Sequence, residues 1–258
     1  MMRNRLGVAS LAAIAALLGL LAGCGGQEGE VGTPTAAPAT QPAATAEPSV
    51  DQETVPPSTE EARDKLERVT ILMDDIGPGY VVLADEYADN AEASAAQPDP
   101  AVALTFLNGA GRVLGRTVTY IAADTTGAAL AGQSVAFFSN VNVFGDATGA
   151  AQYYAVSIQI MAEGTGVGAQ LGDLFADPAA VQVAPVAFSP IGDQSQAFTL
   201  AGQTEAGGQL YPVVALLAVI QRGPVMAFVG SVRVAIPPDV EEVERLAGLL
   251  VERIDSEF

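Results

Sequence analysis

The sequence predicts an α+β domain in which a largely antiparallel sheet of six to seven strands is covered by helices on both faces. Helical periodicity occurs near both ends of this domain and in its middle, and the strands between are mostly joined by short connections, which favour antiparallel pairing. Residues 213–220 and 225–229 are apolar at every position. Strands of this kind need cover on both faces, so helices should lie on each side of the sheet.

The predicted helices begin at recognisable caps. Ser58 is followed three residues later by Glu61, a capping box, and apolar residues then recur at helical spacing as far as Ile76, before the stop at Gly77-Pro78-Gly79. Three further helices are predicted from the caps Asp99, Asp146 and Asp239; they cover 101–108, 147–162 and the segment from 239 towards the end.

The predicted strands are runs rich in β-branched, aromatic and other apolar residues. A short strand at 80–83 follows the first helix, and two longer strands at 116–123 and 134–144 are joined by a connection containing Gly and Asp, which predicts a hairpin. On 134–144 one face should be buried and the other, which carries Asn140 and Asn142, only partly buried. Four more strands are predicted at 181–186, 194–200, 210–221 and 225–235.

The N-terminus has the pattern of a secretory signal. Arg3 and Arg5 precede sixteen residues, 6–21, with Ser10 as the single polar interruption. This stretch is shorter than the roughly 20 residues of a membrane-spanning helix. It ends in Leu21-Ala22-Gly23-Cys24, which resembles the lipobox of bacterial lipoproteins. A short anchor helix with an incidental cysteine is the alternative interpretation.

The lipobox resemblance implies that residues 1–23 are removed and that Cys24 becomes a lipidated N-terminus, with a diacylglyceryl thioether and often a third acyl chain. Two or three chains hold a protein on a membrane without measurable release. We therefore expect a domain outside the cytoplasm in a bacterial cell envelope, anchored to the outer face of the cytoplasmic membrane or to the outer membrane.

Residues 24–57 are predicted to form a disordered tether. This segment is built from Gly, Pro, Ala, Thr, Gln and Glu, contains no Lys or Arg, and has three valines as its only branched apolar residues. Such a composition cannot bury a core, and its prolines favour extended conformations. The expected organisation is therefore a signal peptide at 1–23, a tether at 24–57 and a single domain at 58–258.

The composition excludes several functions. The chain has no His and one Cys, so it contains no Ser-His-Asp triad, no His-ligated metal and no internal disulfide. Without residues 1–23 it has 9 basic and 30 acidic residues, a net charge of −21 that disfavours nucleic acid. We predict no catalytic residue, no metal site and no cofactor, and we expect a monomer.

Four arginines are the candidate ligand-binding residues, because bases are rare in the domain: Arg112, Arg116, Arg222 and Arg233. They either pair with the surplus acids or line a pocket for an anionic ligand. The glycine-rich run 164–168 follows a helical pattern rather than a strand and lacks a Lys-Ser or Lys-Thr pair, so a turn is favoured over a phosphate loop. Asp173 and Asp177 supply too few oxygens for calcium.

Short phrases across 59–258 together resemble uncharacterised lipoproteins of high-GC bacteria that have a PsbP-like domain, such as the LpqN-type lipoproteins and some extracellular kinase sensor domains. The phrases are Asp74-Asp75-Ile76-Gly77-Pro78-Gly79-Tyr80, Gly111-Arg112, Ile191-Gly192-Asp193 and Arg222-Gly223-Pro224. This resemblance implies an antiparallel sheet between helices that acts as a binding or assembly module without catalysis.

Three functions follow as hypotheses. The first is a lipid-anchored, non-catalytic binding or sensor module for a small ligand, which requires a concave site. The second is a structural or assembly factor that docks an envelope protein through an exposed apolar patch. The third is a lipid carrier, which requires a large apolar cavity.

Overall fold

A computed structural model describes residues 56–95, 97–164 and 174–258. The predicted signal peptide, Cys24 and nearly all of the predicted tether lie outside the described residues. The helices are α1 Thr59–Val69, α2 Met73–Ile76, α3 Asn90–Ala95, α4 Pro100–Gly109, α5 Thr125–Leu130, α6 Ala147–Glu163 and α7 Val240–Glu257. The strands are β1 Tyr80–Ala88, β2 Arg112–Ala122, β3 Ala136–Phe144, β4 Gln182–Val186, β5 Gln194–Ala206, β6 Gln209–Arg222 and β7 Val225–Val234.

The seven strands form one antiparallel sheet in the order β1-β2-β3-β7-β6-β5-β4. The last strand of the chain, β7, therefore lies near the centre, between β3 and β6. The predicted α+β class with an antiparallel sheet is confirmed. Hairpins join β4 to β5, β5 to β6 and β6 to β7, and the β5–β6 pair runs well beyond the predicted end at residue 200, as far as Ala206 paired with Gln209.

Helices cover both faces of the sheet, as predicted. On one face α1 and α7 pack side by side against the strands, with Leu66, Leu246 and Leu250 fully buried. On the other face α6 packs against β3, β6 and β7, and α3 and α4 pack against β1 and β2. The all-apolar strands β6 and β7 are buried on both sides because Phe228 and Leu217 face one helical layer while Val229 and Leu216 face the other.

The predicted first helix, with apolar positions from Ala62 to Ile76, is wrong as a single element. The helix α1 ends at Val69, the chain is extended at Thr70, and a separate turn of helix, α2, begins at Met73. Two contacts explain the break. Ile71 is buried in the core beside α1, and the backbone N–H of Leu72 donates to Asp75 Oδ2 at 2.6 Å, which caps the second helix.

Two other expectations are corrected. The connection between β2 and β3 contains helix α5, capped by the Asp124 side chain at Gly127 N–H, so it is not a simple hairpin. The partly buried face expected on β3 is wrong, since every residue of the strand is buried, including Asn140 and Asn142. The caps Ser58, Asp99, Asp146 and Asp239 are confirmed, each accepting a backbone N–H of its helix.

No helix in the described ranges is long and apolar enough to cross a membrane. The chain enters the domain at Pro56, whose ring lies beside Gly145 at the β3 end that faces the start of β2.

The Asp75–Arg253 pair joins the α2 turn to α7 and predicts a pH effect. Burial alone would raise the pKa of Asp75, but hydrogen bonds from Arg253 and the Leu72 N–H, with the charges of Arg253 and Arg245, together lower it below its ordinary 3.8. A lowered carboxyl pKa stabilises the fold above the unfolded-state pKa, and that contribution is lost as the pH falls through the folded-state value. We expect Asp75→Asn to cost about 2 kcal/mol at neutral pH.

The cost of Asp75→Asn should shrink as the pH falls below the ordinary carboxyl pKa of 3.8, because Asp75 of the unfolded wild-type chain then takes up a proton, and it should vanish once the folded carboxyl is protonated as well. Urea unfolding of both proteins at pH 7 and near pH 3 measures the difference. The neighbouring exposed residue gives the control Asp74→Asn, which should leave stability within about 0.5 kcal/mol at either pH. A pH-independent cost at position 75 would contradict the assignment.

Candidate functional site

The structure separates the four candidate arginines rather than bringing them together. Arg116, on the α1 side of β2, donates from Nε and Nη2 to both oxygens of Asp85 at 2.9 Å each, and its Nη1 donates to Thr70 Oγ1 at 2.8 Å and to the Leu66 carbonyl at 3.2 Å. These contacts tie the C-terminal end of α1 to β1 and β2. Arg116 therefore has a structural role, which is one of the two alternatives left open by the sequence.

Arg222 and Arg233 also pair with acids. Arg222, at the end of β6, donates to Asp255 at 2.6 Å and to Asp193 at 2.7 Å, and these hydrogen bonds raise its pKa above the ordinary value. Arg233, on β7, lies 2.9 Å from Asp239 and 3.9 Å from Glu242 at the start of α7. Both arginines fasten α7 to the sheet, and we assign neither to a ligand.

Arg112 differs from the other three. It is 5% exposed, and its three hydrogen bonds all go to neutral acceptors: Nε to Asn142 Oδ1 at 2.8 Å, Nη1 to Asn90 Oδ1 at 2.9 Å and Nη2 to the Ala88 carbonyl at 3.1 Å. No carboxylate within the described parts of the chain lies in salt-bridge range of it. Burial lowers the pKa of Arg112, and the charge of Asp89 partly opposes this. An arginine stays charged in a protein, so a positive charge without an ion-pair partner among the described residues lies inside the domain.

A β-bulge and a glycine make room for this guanidinium. The β2–β3 register shifts between Arg112 and Leu114, so that Arg112 and Gly115 both point to the α3, α4 and α6 side of the sheet. A Cβ atom at Gly115 would lie within 2.3 Å of Arg112 Nη2 and 2.6 Å of Asn142 Oδ1. Because Gly115 has no side chain, the Arg112 guanidinium can occupy the space beside it.

The polar contacts continue along the sheet as a surface we call the polar floor, formed by Arg112, Thr117, Thr119, Asn140 and Asn142. Asn142 donates to Asn140 Oδ1, and Asn140 donates to Thr117 Oγ1 at 2.8 Å. The next residue on this face, Thr119, is fully buried, and its Oγ1 has no hydrogen-bond partner within the described residues. This stretch of β2 and β3 is thus polar, although Phe138 and Phe144 of β3 belong to the apolar core on the same face, and the part formed by β6 and β7 is apolar.

Helices α3, α4 and α6 enclose the Arg112 end of the floor. The Tyr153 ring on α6 packs between Phe106 and Phe144 at centroid distances of 6.0 and 5.3 Å. Burial raises the pKa of the Tyr153 hydroxyl, and the nearby charge of Arg112 partly opposes this rise. At the rim, the half-buried Asn90 donates to the exposed Asn108 at 2.9 Å and to the Arg112 carbonyl at 2.8 Å.

Removing one acceptor should destabilise the network measurably. We expect Asn142→Ala to lower the free energy of unfolding by about 2–3 kcal/mol, because it leaves the buried Nε–H of Arg112 without an acceptor. Urea unfolding measures the loss. The control Asn108→Ala removes an exposed amide of the same kind and should cost less than about 1 kcal/mol. Equal costs at both positions would contradict the network's importance.

Other candidate chemistry is not supported. No cluster of three or more His, Cys, Asp or Glu able to hold a metal ion occurs within the described ranges. Gly164 takes a left-handed conformation as the C-cap of α6, in agreement with a turn, while 165–168 and Asp173 lie outside the described residues. Asp177 caps a short 3-10 turn at Pro178–Ala180. A cleft of about 320 Å³ lies between Pro78-Gly79-Tyr80 and the α5 segment, away from the arginines.

Sequence reasoning identified Arg112 but not its surroundings. Asn140 and Asn142 were visible as polar residues alternating within an apolar strand, and this pattern suggested partial exposure rather than a buried network. Asn90 and Tyr153 carried no signal of their own. The recognisable signal was the combination of a rare arginine with two asparagines on the next strand.

No family model matches the sequence, and no curated protein matches it significantly. Among solved structures, the fold is similar to the extracellular domain of PknH from Mycobacterium tuberculosis, with a TM-score of 0.44 and 9% sequence identity. The alignment covers 79% of this chain and 99% of that domain.

Proposed function

We propose that this chain is a lipid-anchored, extracytoplasmic and non-catalytic binding or sensor module, whose ligand reaches Arg112 beside Asn90. The rest of the polar floor is buried, and the cleft at Pro78-Gly79-Tyr80 does not open onto it. The observation that carries the proposal is the buried Arg112 guanidinium, whose hydrogen-bond acceptors within the described residues are all neutral. Burying a charge costs several kcal/mol unless a counter-charge or full hydrogen bonding compensates it. Because burying the charge of Arg112 is costly, a ligand that completes the site explains the position of this residue better than packing alone does.

The sequence supports the proposed location of the module outside the cytoplasm. The charged start, the apolar stretch and the lipobox at Cys24 form the export and acylation pattern of a bacterial lipoprotein, and the tether would hold the domain away from the lipid surface. The net charge of −19 over the whole chain disfavours nucleic acid and anionic lipid head groups as ligands. A small molecule is therefore the ligand class that we propose.

The experiment uses the Cys24→Ser form of the chain after residue 23, labelled with ¹⁵N. The side-chain amides of Asn140 and Asn142 report on the floor, and the labelled protein is mixed separately with low-molecular-mass and macromolecular fractions of the producing organism's envelope. We expect the low-molecular-mass fraction to shift both amides in a saturable way. Unchanged amides with every fraction would contradict the proposal.

One observation favours a second function, that of an assembly factor docking an envelope protein. The outer edge of β1 has no partner strand in the described parts of the chain, and Val81 and Val82 on it are 47% and 51% exposed. A free edge with apolar side chains can accept a strand from another protein. In the same experiment, backbone shifts at 80–83 with the macromolecular fraction alone would support this function instead.

A further inference from the structure

We infer that the ligand of the polar floor carries a carboxylate, which enters beside Asn90 and pairs with Arg112. This inference rests on the proposed function, since it names the ligand class of the same site. Three observations carry it: how the arginines of this chain are paired, which hydrogen bonds Arg112 leaves open, and which of its present acceptors a ligand can replace.

Pairing among the arginines leaves Arg112 as the exception. The side chains of Arg116, Arg233 and Arg253 are 11%, 16% and 24% exposed, and each lies within 2.9 Å of a carboxylate oxygen. Arg112 is more buried than any of them and has no such partner within the described residues. The chain has 30 acids for 11 bases, so a shortage of acids does not explain the gap. No described residue supplies a carboxylate at this depth, and we assign that position to a ligand.

Arg112 also has hydrogen-bonding capacity to spare. A guanidinium carries five N–H groups, and three of them donate to Asn142, Asn90 and Ala88. One N–H on each terminal nitrogen has no acceptor within the described part of the chain. The planar fork of these two nitrogens matches the two oxygens of a carboxylate. A single buried positive charge in an acidic domain balances one negative charge, which favours a carboxylate over a phosphate dianion.

Asn90 is the acceptor that a ligand can replace. Its amide oxygen accepts from Arg112 Nη1 at 2.9 Å, but Asn90 is a half-buried residue at the start of the short helix α3, whereas Asn142 is 2% exposed and fixed within β3. A carboxylate arriving from solvent meets Asn90 first. Its negative charge makes a stronger hydrogen bond to the guanidinium than the neutral amide oxygen does. Asn90 therefore acts as an internal stand-in for the ligand.

The test titrates the Cys24→Ser chain with benzoate and acetate, and with the matched neutral amides benzamide and acetamide, at constant ionic strength. The Nε–H resonance of Arg112 and the side-chain amides of Asn90 and Asn142 are followed by NMR. We expect saturable shifts with the carboxylates and none with the amides. Inorganic phosphate serves as the competing anion and should bind more weakly than benzoate.

Two variants make the test specific. Asn90→Ala removes the internal competitor and should tighten benzoate binding several-fold, a gain that a merely structural Arg112 would not give. Arg112→Lys keeps the charge but loses the fork, and should weaken benzoate binding roughly tenfold. The control Arg245→Lys changes an exposed arginine of α7 and should leave benzoate binding unchanged.

The failures can be told apart. Equal shifts with carboxylates and amides, or stronger binding of phosphate, would overturn the carboxylate class and leave a binding module in place. If none of the NMR resonances shifts with any added compound, either in the wild-type sequence at position 90 or in the Asn90→Ala variant, the carboxylate inference is wrong. The envelope fractions then decide the proposed function separately, because they test for any low-molecular-mass ligand.

Discussion

Replacing Cys24 with serine is expected to move essentially all of the protein from the membrane fraction to the soluble fraction. A serine oxygen cannot take the place of the thioether sulfur in the lipoprotein pattern Leu21-Ala22-Gly23-Cys24, so the diacylglyceryl group is not added. A single acyl chain holds a protein with a constant of about 10⁴ M⁻¹, and each additional buried CH₂ adds about 0.8 kcal/mol, so losing two or three chains removes the attachment. Fractionation and incorporation of radiolabelled palmitate measure the result.

The matched control for this change is Gly25→Ala. It alters the next residue but leaves the four residues of the lipobox intact, so both the label and the membrane attachment should persist. Palmitate incorporation into the Cys24→Ser chain, or its continued sedimentation with membranes, would contradict lipidation at this position. The same outcome would remove the argument that the domain is held at an envelope surface.

Gly230→Ala is expected to lower the free energy of unfolding by about 3 kcal/mol or more. A Cβ atom at this position would lie 2.2 Å from the Leu216 carbonyl oxygen and 2.5 Å from Cζ of Phe138. Gly230 lies on β7 at the centre of the sheet, so neither neighbour can move away freely: Leu216 belongs to the paired strand β6, and the Phe138 ring is 2% exposed. Urea unfolding followed by far-UV circular dichroism measures the loss.

Gly248→Ala provides the control for the central glycine. It lies on α7, where a Cβ atom would meet nothing within 4 Å, so the same chemical change should be neutral or stabilise the helix by up to about 1 kcal/mol. A cost below about 1 kcal/mol for Gly230→Ala would show that the sheet centre adjusts more easily than the close packing of dense protein cores allows.

The predictable parts of the fold are those in which the capping residues and the pattern of apolar positions indicate the same element. The final helix has an Asp239 cap and an apolar face that both indicate the same element, and the continuous apolar runs in β6 and β7 required two covering layers. The break after α1 was not predictable from periodicity, because Met73 and Ile76 continue the helical spacing. The break depends instead on tertiary burial of Ile71 and on the Asp75 carboxylate that caps Leu72.

The candidate site was predictable only in part. The rarity of bases pointed to Arg112, but it pointed equally to Arg116, Arg222 and Arg233, which the structure pairs with acids. What separates Arg112 is a one-residue shift in the β2–β3 register, which turns it to the face opposite Arg116. A bulge of this kind has no signature in the sequence, because the residues before and after it keep the same strand character.

The position of β7 sets the order in which the domain can form. β3 cannot complete its pairing until residues 225–234 have been synthesised, since Ser139 pairs with Val229 of β7. In the same way, α1 cannot pack against α7 until the C-terminal helix has been synthesised. The earliest three strands would otherwise expose an unpaired central edge. Distant pairing of this kind slows acquisition of the native state. A chain exported by the proposed signal would thus cross the membrane before its sheet was complete, and the domain would fold outside the cytoplasm.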